Sequence, residues 1–183
     1  NADNNPTISV NRLKPLQISL HPSYFFVSCT AGYWQATDGT EEFIPGQVQM
    51  RHLNDMTLIK TFEFDTYSHP WHIETSLSED KVFVALAGDT TTESGVACLE
   101  FGTNENGEYF LNQVWKTTSS DYGTMHGITV SADGQYVYVS GRTDGNIYKF
   151  DANTGEQLGY LNLISGGGVR TGGIALSQDS CCN

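Results

Sequence analysis

A short pattern recurs four times along the chain and constrains the fold more than any other feature. In its clearest copy, alternating apolar residues lead into Ser131, a turn follows at Asp133-Gly134, and a second apolar run begins at Val137. Self-similarity at a spacing of about 50 residues is typical of repeat architectures, in which each copy forms one supersecondary unit. The apolar position before the turn is assigned to Leu20, Leu77, Val130 and Leu176, with gaps of 57, 53 and 46 residues.

Each copy is predicted to contain four short antiparallel strands. In the third copy the second strand is followed by the runs 147–150 and 157–161, which are bounded by turns rich in Asp, Asn and Gly. Such turns tolerate positive φ and join strands into hairpins. The composition agrees, because 19 glycines, nine tyrosines and nine phenylalanines suit short strands and tight turns. We therefore expect an all-β fold made of four-stranded β-propeller blades.

The third copy also resembles a known repeat. Its Ser131-Ala132-Asp133-Gly134 turn, its strand 147–151 and its Thr154-Gly155 turn are similar to the YVTN-type β-propeller repeat. That family is akin to the lactonase-like and quinoprotein-like propellers. The resemblance is good for residues 125–163, fair for 69–116 and weaker for 16–64, where His21-Pro22-Ser23 replaces the expected turn. The WD40 pattern fits less well, since no Trp-Asp or Gly-His pair ends a strand.

The repeat count predicts about three and a fraction blades. The blades are assigned to residues 16–64, 69–116 and 125–163, with an incomplete blade at 170–183. Because so few blades cannot close a ring, residues 1–183 are predicted to be part of a single β-propeller domain. Further chain segments would complete a propeller of six to eight blades; the alternative is completion by a second copy or another chain.

Charge narrows the range of partners. Nine Lys and Arg against 21 Asp and Glu give a net charge of −12. Such a surface repels phosphate backbones, so nucleic acid is excluded as a partner. No apolar run approaches 18 residues, so no membrane span is expected. The few lysines and the many Asn, Thr, Ser and Gly residues favour an extracytoplasmic protein, in the periplasm, on the cell surface or secreted.

The cysteines do not form a recognisable framework. Cys29 and Cys98 lie in apolar, strand-like runs and are predicted to be buried free thiols. Cys181 and Cys182 are adjacent, and the sequence leaves their redox state open.

The candidate site is placed in the segments just before the innermost strands, since these strands surround the central channel of a propeller. The residues assigned to it are His69, Trp71, His72, His126 and Arg170. His72 and His126 could hold a metal ion, or cationic side chains could bind an anionic ligand. Alternatively, the histidines have a structural role and hydrogen-bond the neighbouring blade.

Two function classes remain open. The chain contains no Gly-x-Ser-x-Gly elbow, Walker loop or His-Glu-x-x-His motif, so it offers no nucleophile with a positioned base. This favours a secreted or cell-surface scaffold that binds a protein, a glycan or another ligand. The alternative is a lactonase-like or metal-dependent redox propeller enzyme, which would use His72, His126 and Arg170 at the channel mouth.

Overall fold

The computed structural model describes residues 14–35, 38–65, 67–76, 78–163 and 171–176. These residues form 14 β-strands. No helix among them is long and apolar enough to cross a membrane. The predicted all-β class is confirmed, and so are the four-stranded antiparallel blades.

Three four-stranded sheets follow one another along the chain. The first has the order β1 (Lys14–Leu20), β2 (Tyr24–Thr30), β5 (Gln47–His52) and β6 (Leu58–Glu63). The second contains β7 (Pro70–Thr75), β8 (Lys81–Leu86), β9 (Ser94–Thr103) and β10 (Tyr109–Ser119). The third contains β11 (Met125–Val130), β12 (Tyr136–Gly141), β13 (Asn146–Asp151) and β14 (Gln157–Asn162). A small hairpin, β3 (Gly32–Gln35) with β4 (Glu41–Ile44), is inserted into the first blade.

The blades stack face to face, and their cores lie between them. Strand β8 is apolar from Val82 to Leu86 because both of its faces are covered by a neighbouring blade. Val82, Val84 and Leu86 belong to the core between the first and second blades. Phe83 and Ala85, on the opposite face of the strand, belong to the core between the second and third blades. Because successive side chains alternate between faces, a strand with a blade on either side is apolar at every position.

The innermost strands carry equivalent residues at a constant spacing. Ile18, Ile73 and Ile128 each pair with a valine of the second strand, and each lies 55 residues after the previous one. The assignment of Leu77 as the equivalent of Val130 was therefore two residues out of register, and Leu77 itself lies outside the described residues.

The register error arose in the turn after the inner strand. The Ser-x-Asp pattern suggested that Ser78 corresponds to Ser131, but the structural equivalent is Ser76. The amide of Ser76 donates to the carbonyl of Lys81, just as the amide of Ser131 donates to that of Tyr136. The two turns thus have the same length.

A β-bulge interrupts every inner strand at the same place, near its start. A bulge redirects side chains locally and is common beside functional sites. The bulged pairs span Pro15 to Gln17, Pro70 to Ile73 and Met125 to Ile128.

Serine hydroxyls connect neighbouring blades at this bulge. The hydroxyl of Ser28 donates to the carbonyl of Trp71 in the next blade. In the same way, the hydroxyl of Ser140 donates to the carbonyl of Gly172, at 2.7 Å. Residues 171–176 thus run beside the third blade, although they form no assigned strand. The rest of the proposed incomplete blade lies outside the described residues. Ala85 stands at the equivalent position of the second blade, so this bond is absent between the second and third blades.

Candidate functional site

A cleft of about 590 Å³ lies along the innermost strands. It is bounded by β1, β7, β11 and residues 173–176, which come from three blades and the segment that follows them. This is where the innermost strands of a propeller surround its channel. The residues that line it are Gln17, Ile18, Ser19, Leu20, His72, Glu74, Thr75, 128–132 and 173–176.

The bulges of β7 and β11 bring three of the predicted site residues together. The ring centroids of His72 and His126 are 4.3 Å apart, although 54 residues separate them in the chain. The indole of Trp71 meets the His126 ring edge-to-face, with centroids 5.0 Å apart. Trp71 and His126 occupy equivalent bulge positions, whereas His72 is the equivalent of Gln17 and Gly127.

Both imidazoles are held in their neutral form. Burial lowers the pKa of His72, and the adjacent His126 lowers it further. Burial and the charge of Arg142 lower the pKa of His126, while a backbone contact with Gly172 acts in the opposite direction. The Nδ1 atom of His126 is buried, and no described residue hydrogen-bonds it. The pair therefore offers neutral donor and acceptor groups at pH 7.

Arg142 completes this cluster and was missed by the sequence analysis. Its guanidinium carbon lies 5.8 Å from the centroid of the Trp71 ring. Its amide donates to the carbonyl of Thr124, which fixes the loop beside the start of β11. The available signal was topological: β12 is antiparallel to β11 and Gly141 pairs with Met125, so the residue after Gly141 lies opposite Thr124, just before β11.

Glu74 is the second residue that the sequence analysis missed. It lines the cleft two residues after His72, and its carboxyl group is half-buried. Burial raises the pKa of Glu74, and no described residue donates a hydrogen bond to it. Its equivalents in the other blades are Ser19 and Thr129. No motif marks this position. An alignment of the repeats could have revealed it, but the alignment used was two residues out of register.

His69 lies in a different environment from the other predicted histidines. Its Nδ1 atom is 3.3 Å from the Thr30 hydroxyl of the first blade, and its Nε2 atom is 3.5 Å from the carboxylate of Asp89. Its carbonyl accepts a hydrogen bond from the amide of Ala87. The contact with Thr30 connects the first and second blades, as the structural alternative for the histidines proposes, whereas Asp89 and Ala87 belong to the same blade as His69. The remaining predicted site residue, Arg170, lies outside the described residues.

The predicted metal ligands are adjacent but lack a third partner in the described part of the chain. No group of three His, Cys, Asp or Glu side chains converges among those residues. His72 and His126 alone supply two nitrogen ligands, whereas catalytic zinc sites use three protein ligands. As described, the arrangement suits hydrogen bonding to a polar ligand.

The buried thiols do not contribute to the site. Cys29 and Cys98 are free and buried, which confirms the prediction for both. Burial raises the pKa of Cys29 to about 11 and that of Cys98 to about 12. A thiol with so high a pKa is a poor nucleophile at neutral pH. Cys181 and Cys182 lie outside the described residues.

The comparisons with known proteins identify the fold. No family model and no curated protein matches the chain. Among solved structures, the β-propeller domain of Cps50 (Swd1) from Myceliophteria thermophila is 11% identical with a TM-score of 0.63, over 88% of this chain and 44% of that one. A functionally unknown protein from Desulfotomaculum acetoxidans is 16% identical with a TM-score of 0.60, over 90% of this chain and 46% of that one.

An enzyme candidate has the same fold. A candidate 6-phosphogluconolactonase from Bacteroides fragilis is 14% identical with a TM-score of 0.53, over 86% of this chain and 57% of that one. The chain thus spans about half the length of the solved structures it resembles. At these identities the likeness shows the β-propeller fold alone.

Proposed function

We propose that the chain is part of a β-propeller that acts as a binding scaffold and holds a glycan in the cleft along its innermost strands. One observation carries the proposal: His72, Glu74 and Thr129 line or adjoin this cleft, and their side chains make no hydrogen bond to any described residue. Their unused hydrogen-bonding capacity is available to a ligand that enters the cleft.

The chemistry of the lining favours a hydroxyl-rich ligand. A carboxylate accepts hydrogen bonds, and a neutral imidazole both donates and accepts them, as a sugar hydroxyl requires. Ile174 and Leu176 add apolar surface for the C–H groups of a sugar ring. The cleft volume lies within the range of small-ligand sites, whereas a protein partner needs a contact of about 800 Å² on each side. A protein partner is therefore the second choice at this site.

The proposed location of this function is extracytoplasmic. This location is proposed from composition alone, since the 183 residues include only nine Lys and Arg and carry a net charge of −12. The resemblance to YVTN-type repeats remains a proposal for the same reason, since it depends on sequence patterns.

Titration of the isotope-labelled protein with a panel of neutral and acidic oligosaccharides tests the binding function. We expect shifts of the His72, Ile128 and Ile174 signals with at least one glycan. Replacing Glu74 by Ala should weaken that binding at least tenfold, whereas the control Glu100→Ala, at an exposed position on β9, should leave it unchanged. Absence of shifts across the panel would overturn the proposal.

A lactonase-like or metal-dependent redox enzyme is the second candidate. The observation that favours it is the pairing of a neutral imidazole, His72, with a carboxyl group of raised pKa, Glu74, in one cleft. Such a pair can act as general base and general acid near neutral pH. Stoichiometric copper, iron or calcium that is lost in the double variant His72→Ala, His126→Ala would support the metal-dependent enzyme. Metal-free protein with no lactone hydrolysis would reject this candidate.

A further inference from the structure

We propose that Arg142, Trp71 and His126, which adjoin the cleft through the contact of His126 with His72, form a carboxylate-binding subsite that selects acidic sugars such as uronic acids over neutral ones. The proposal extends the proposed glycan-binding function and rests on it. It assigns a ligand class to a side-chain cluster that the fold alone does not explain.

Arg142 provides the positive charge of the subsite. Among the described residues, no carboxylate lies within ion-pair distance of its guanidinium, and no hydrogen bond of that group is observed. Arg51 is the contrast within the same molecule: its guanidinium is buried and bonded to Gln49 and to the carbonyl of Met56. The planar guanidinium of Arg142 instead keeps its donors available for the two oxygens of a carboxylate.

Trp71 holds that charge in place. The guanidinium lies over the indole ring, and the indole and the His126 ring meet nearly perpendicular to each other. Stacking on an aromatic ring orients an arginine without using its hydrogen-bond donors. The backbone bond between Arg142 and Thr124 restrains the same loop. The subsite is therefore ordered before a ligand arrives, which lowers the entropy lost on binding.

His126 supplies an independent observation. Its buried Nδ1 atom has no partner among the described residues, and such an atom lowers the stability of the free protein. An unsatisfied buried polar atom in a native structure calls for a reason, and an absent ligand or water is one of them. The positive charge of Arg142 acts on His126, so an anion at this place would be attracted by Arg142 and could accept a hydrogen bond from the neutral imidazole.

The charge count favours a monoanion. Arg142 is a single cation, and no described lysine joins the cluster. The whole chain carries a net charge of −12, which opposes the approach of a phosphate dianion more strongly than that of a carboxylate.

The subsite and the cleft are suitably spaced for one extended ligand. Glu74 lies three positions after Trp71 on β7, which corresponds to roughly 10 Å along a regular strand. The carboxylate end of an acidic oligosaccharide can therefore contact Arg142 while its hydroxyl groups contact His72 and Glu74. This arrangement also keeps the ligand carboxylate away from that of Glu74.

Titrations with D-glucuronate, D-glucose, acetate and inorganic phosphate test the subsite. Binding is followed through the histidine ring and tryptophan indole NMR signals. We expect glucuronate to bind at least tenfold more tightly than glucose, and acetate to shift the His126 and Trp71 signals. Arg142→Gln should remove the difference between the two sugars, whereas Lys60→Gln, which deletes an exposed cation on β6, should preserve it. The spectra of both variants verify that they are folded.

Each other outcome contradicts a different claim. Equal binding of glucuronate and glucose that Arg142→Gln does not change would overturn the subsite and leave the glycan-binding function intact. Acetate shifts without binding of either sugar would retain the subsite and overturn the glycan function. Phosphate that binds more tightly than glucuronate would overturn the choice of a carboxylate. No binding of any probe would overturn both proposals.

Discussion

The position shared by Ser19, Glu74 and Thr129 shows how a single side chain changes the chemistry of an inner strand. Ser19 accepts hydrogen bonds from the amide and the hydroxyl of Thr75, at 2.9 and 2.8 Å, and so joins two blades. Glu74 stands at the same place one blade later but makes no such bond to a described residue. A half-buried carboxylate without a partner lowers stability when it is ionised. Packing between blades thus does not explain the carboxylate of Glu74.

Replacing Glu74 by Gln is expected to raise the free energy of unfolding at pH 7. Burial raises the folded-state pKa of this carboxyl above that of the unfolded chain, so stability is lost as pH rises through the folded-state value. The amide removes that loss, and the gain is up to about 1 kcal/mol after solvent screening. Urea unfolding of the wild type and of Glu74→Gln at pH 7 and pH 4 measures this gain in unfolding free energy.

The gain should shrink at the lower pH, where the wild-type carboxyl is largely protonated in both states. The control variant Glu100→Gln changes an exposed carboxylate on β9 and should alter stability at neither pH. A gain from Glu74→Gln that increases towards low pH would contradict the assignment.

The contact between His72 and His126 predicts a loss of stability in mild acid. Both folded-state pKa values lie below the unfolded value of about 6.5. The unfolded chain therefore binds protons first, and stability falls as pH decreases from about 6.5 towards the folded-state values. Aspartates such as Asp89, whose pKa is lowered to about 2, act only in stronger acid.

Urea midpoints between pH 7.5 and 5.5 should fall in the wild type, and they should fall less in the double variant His72→Gln, His126→Gln. Each single variant should give an intermediate slope, because the burial of the remaining ring persists. Identical slopes for wild type and double variant would show that the pair does not titrate in this range.

At the scale of the elements, the turn between β13 and β14 anchors the third blade on the second. The indole nitrogen of Trp115, on β10, donates to the carbonyl of Ala152 at 3.0 Å. The hydroxyl of Thr117 donates to the carbonyl of Gly155 at 2.7 Å. The carboxylate of Asp151 accepts hydrogen bonds from the amides of Asn153 and Thr154, both at 2.9 Å, and so caps this turn.

Gly155 is expected to tolerate no side chain. Its φ is +73°, and a Cβ atom built there would lie 2.5 Å from the Trp115 ring. Gly155→Ala should therefore lower the free energy of unfolding by about 2–4 kcal/mol, through backbone strain and displacement of the indole. Gly107 is the matched control, since its φ is +81° and nothing lies within 4 Å of the added atom.

The control Gly107→Ala should lose only the backbone contribution of about 1 kcal/mol. The difference between the two variants, measured by urea unfolding, isolates the contact with Trp115. Equal losses would show that the indole moves aside without an energetic penalty.

The sequence predicted the strands better than the side-chain partners. The alternation and turn residues of 128–161 were sufficient for a four-stranded blade, because they depend on local chemistry. The proximity of His72 and His126 followed from their place in corresponding segments of two blades, although they lie within β7 and β11 and not before these strands as expected. Arg142 and Glu74 were missed, since their roles depend on the pairing of β11 with β12 and on a register that the similar serines 76 and 78 obscured.

At the scale of the whole molecule, the three blades expose an apolar face at each end. On β1, Leu20 is 63% exposed, and Leu16 and Ile18 lie on the same strand in a similar state. On β14, Tyr160 is 65% exposed, beside the exposed Leu161. Between blades, such faces are buried, as the core residues of β8 show. The chain also spans about half the length of the solved propellers it resembles. Within the described residues, no further blade packs against these two faces.

A protein with two such faces is expected to self-associate when no further blade covers them. Apolar sheet faces gain about 25 cal/mol for each Å² buried, while the net charge of −12 opposes contact between copies. Salt screens that repulsion, so the average mass should rise both with protein concentration and between about 0.05 and 0.5 M NaCl. Light scattering coupled to gel filtration measures this mass.

Two variants with the same added charge separate the face from the charge. Leu20→Asp places a carboxylate on the exposed face of β1 and should reduce association. Asn106→Asp adds the same charge in the exposed turn between β9 and β10 and should leave association close to that of the wild type. If both variants associate equally, the end faces are not the contact. A wild type that stays monomeric at high salt would show that these faces are stable in water without a covering blade.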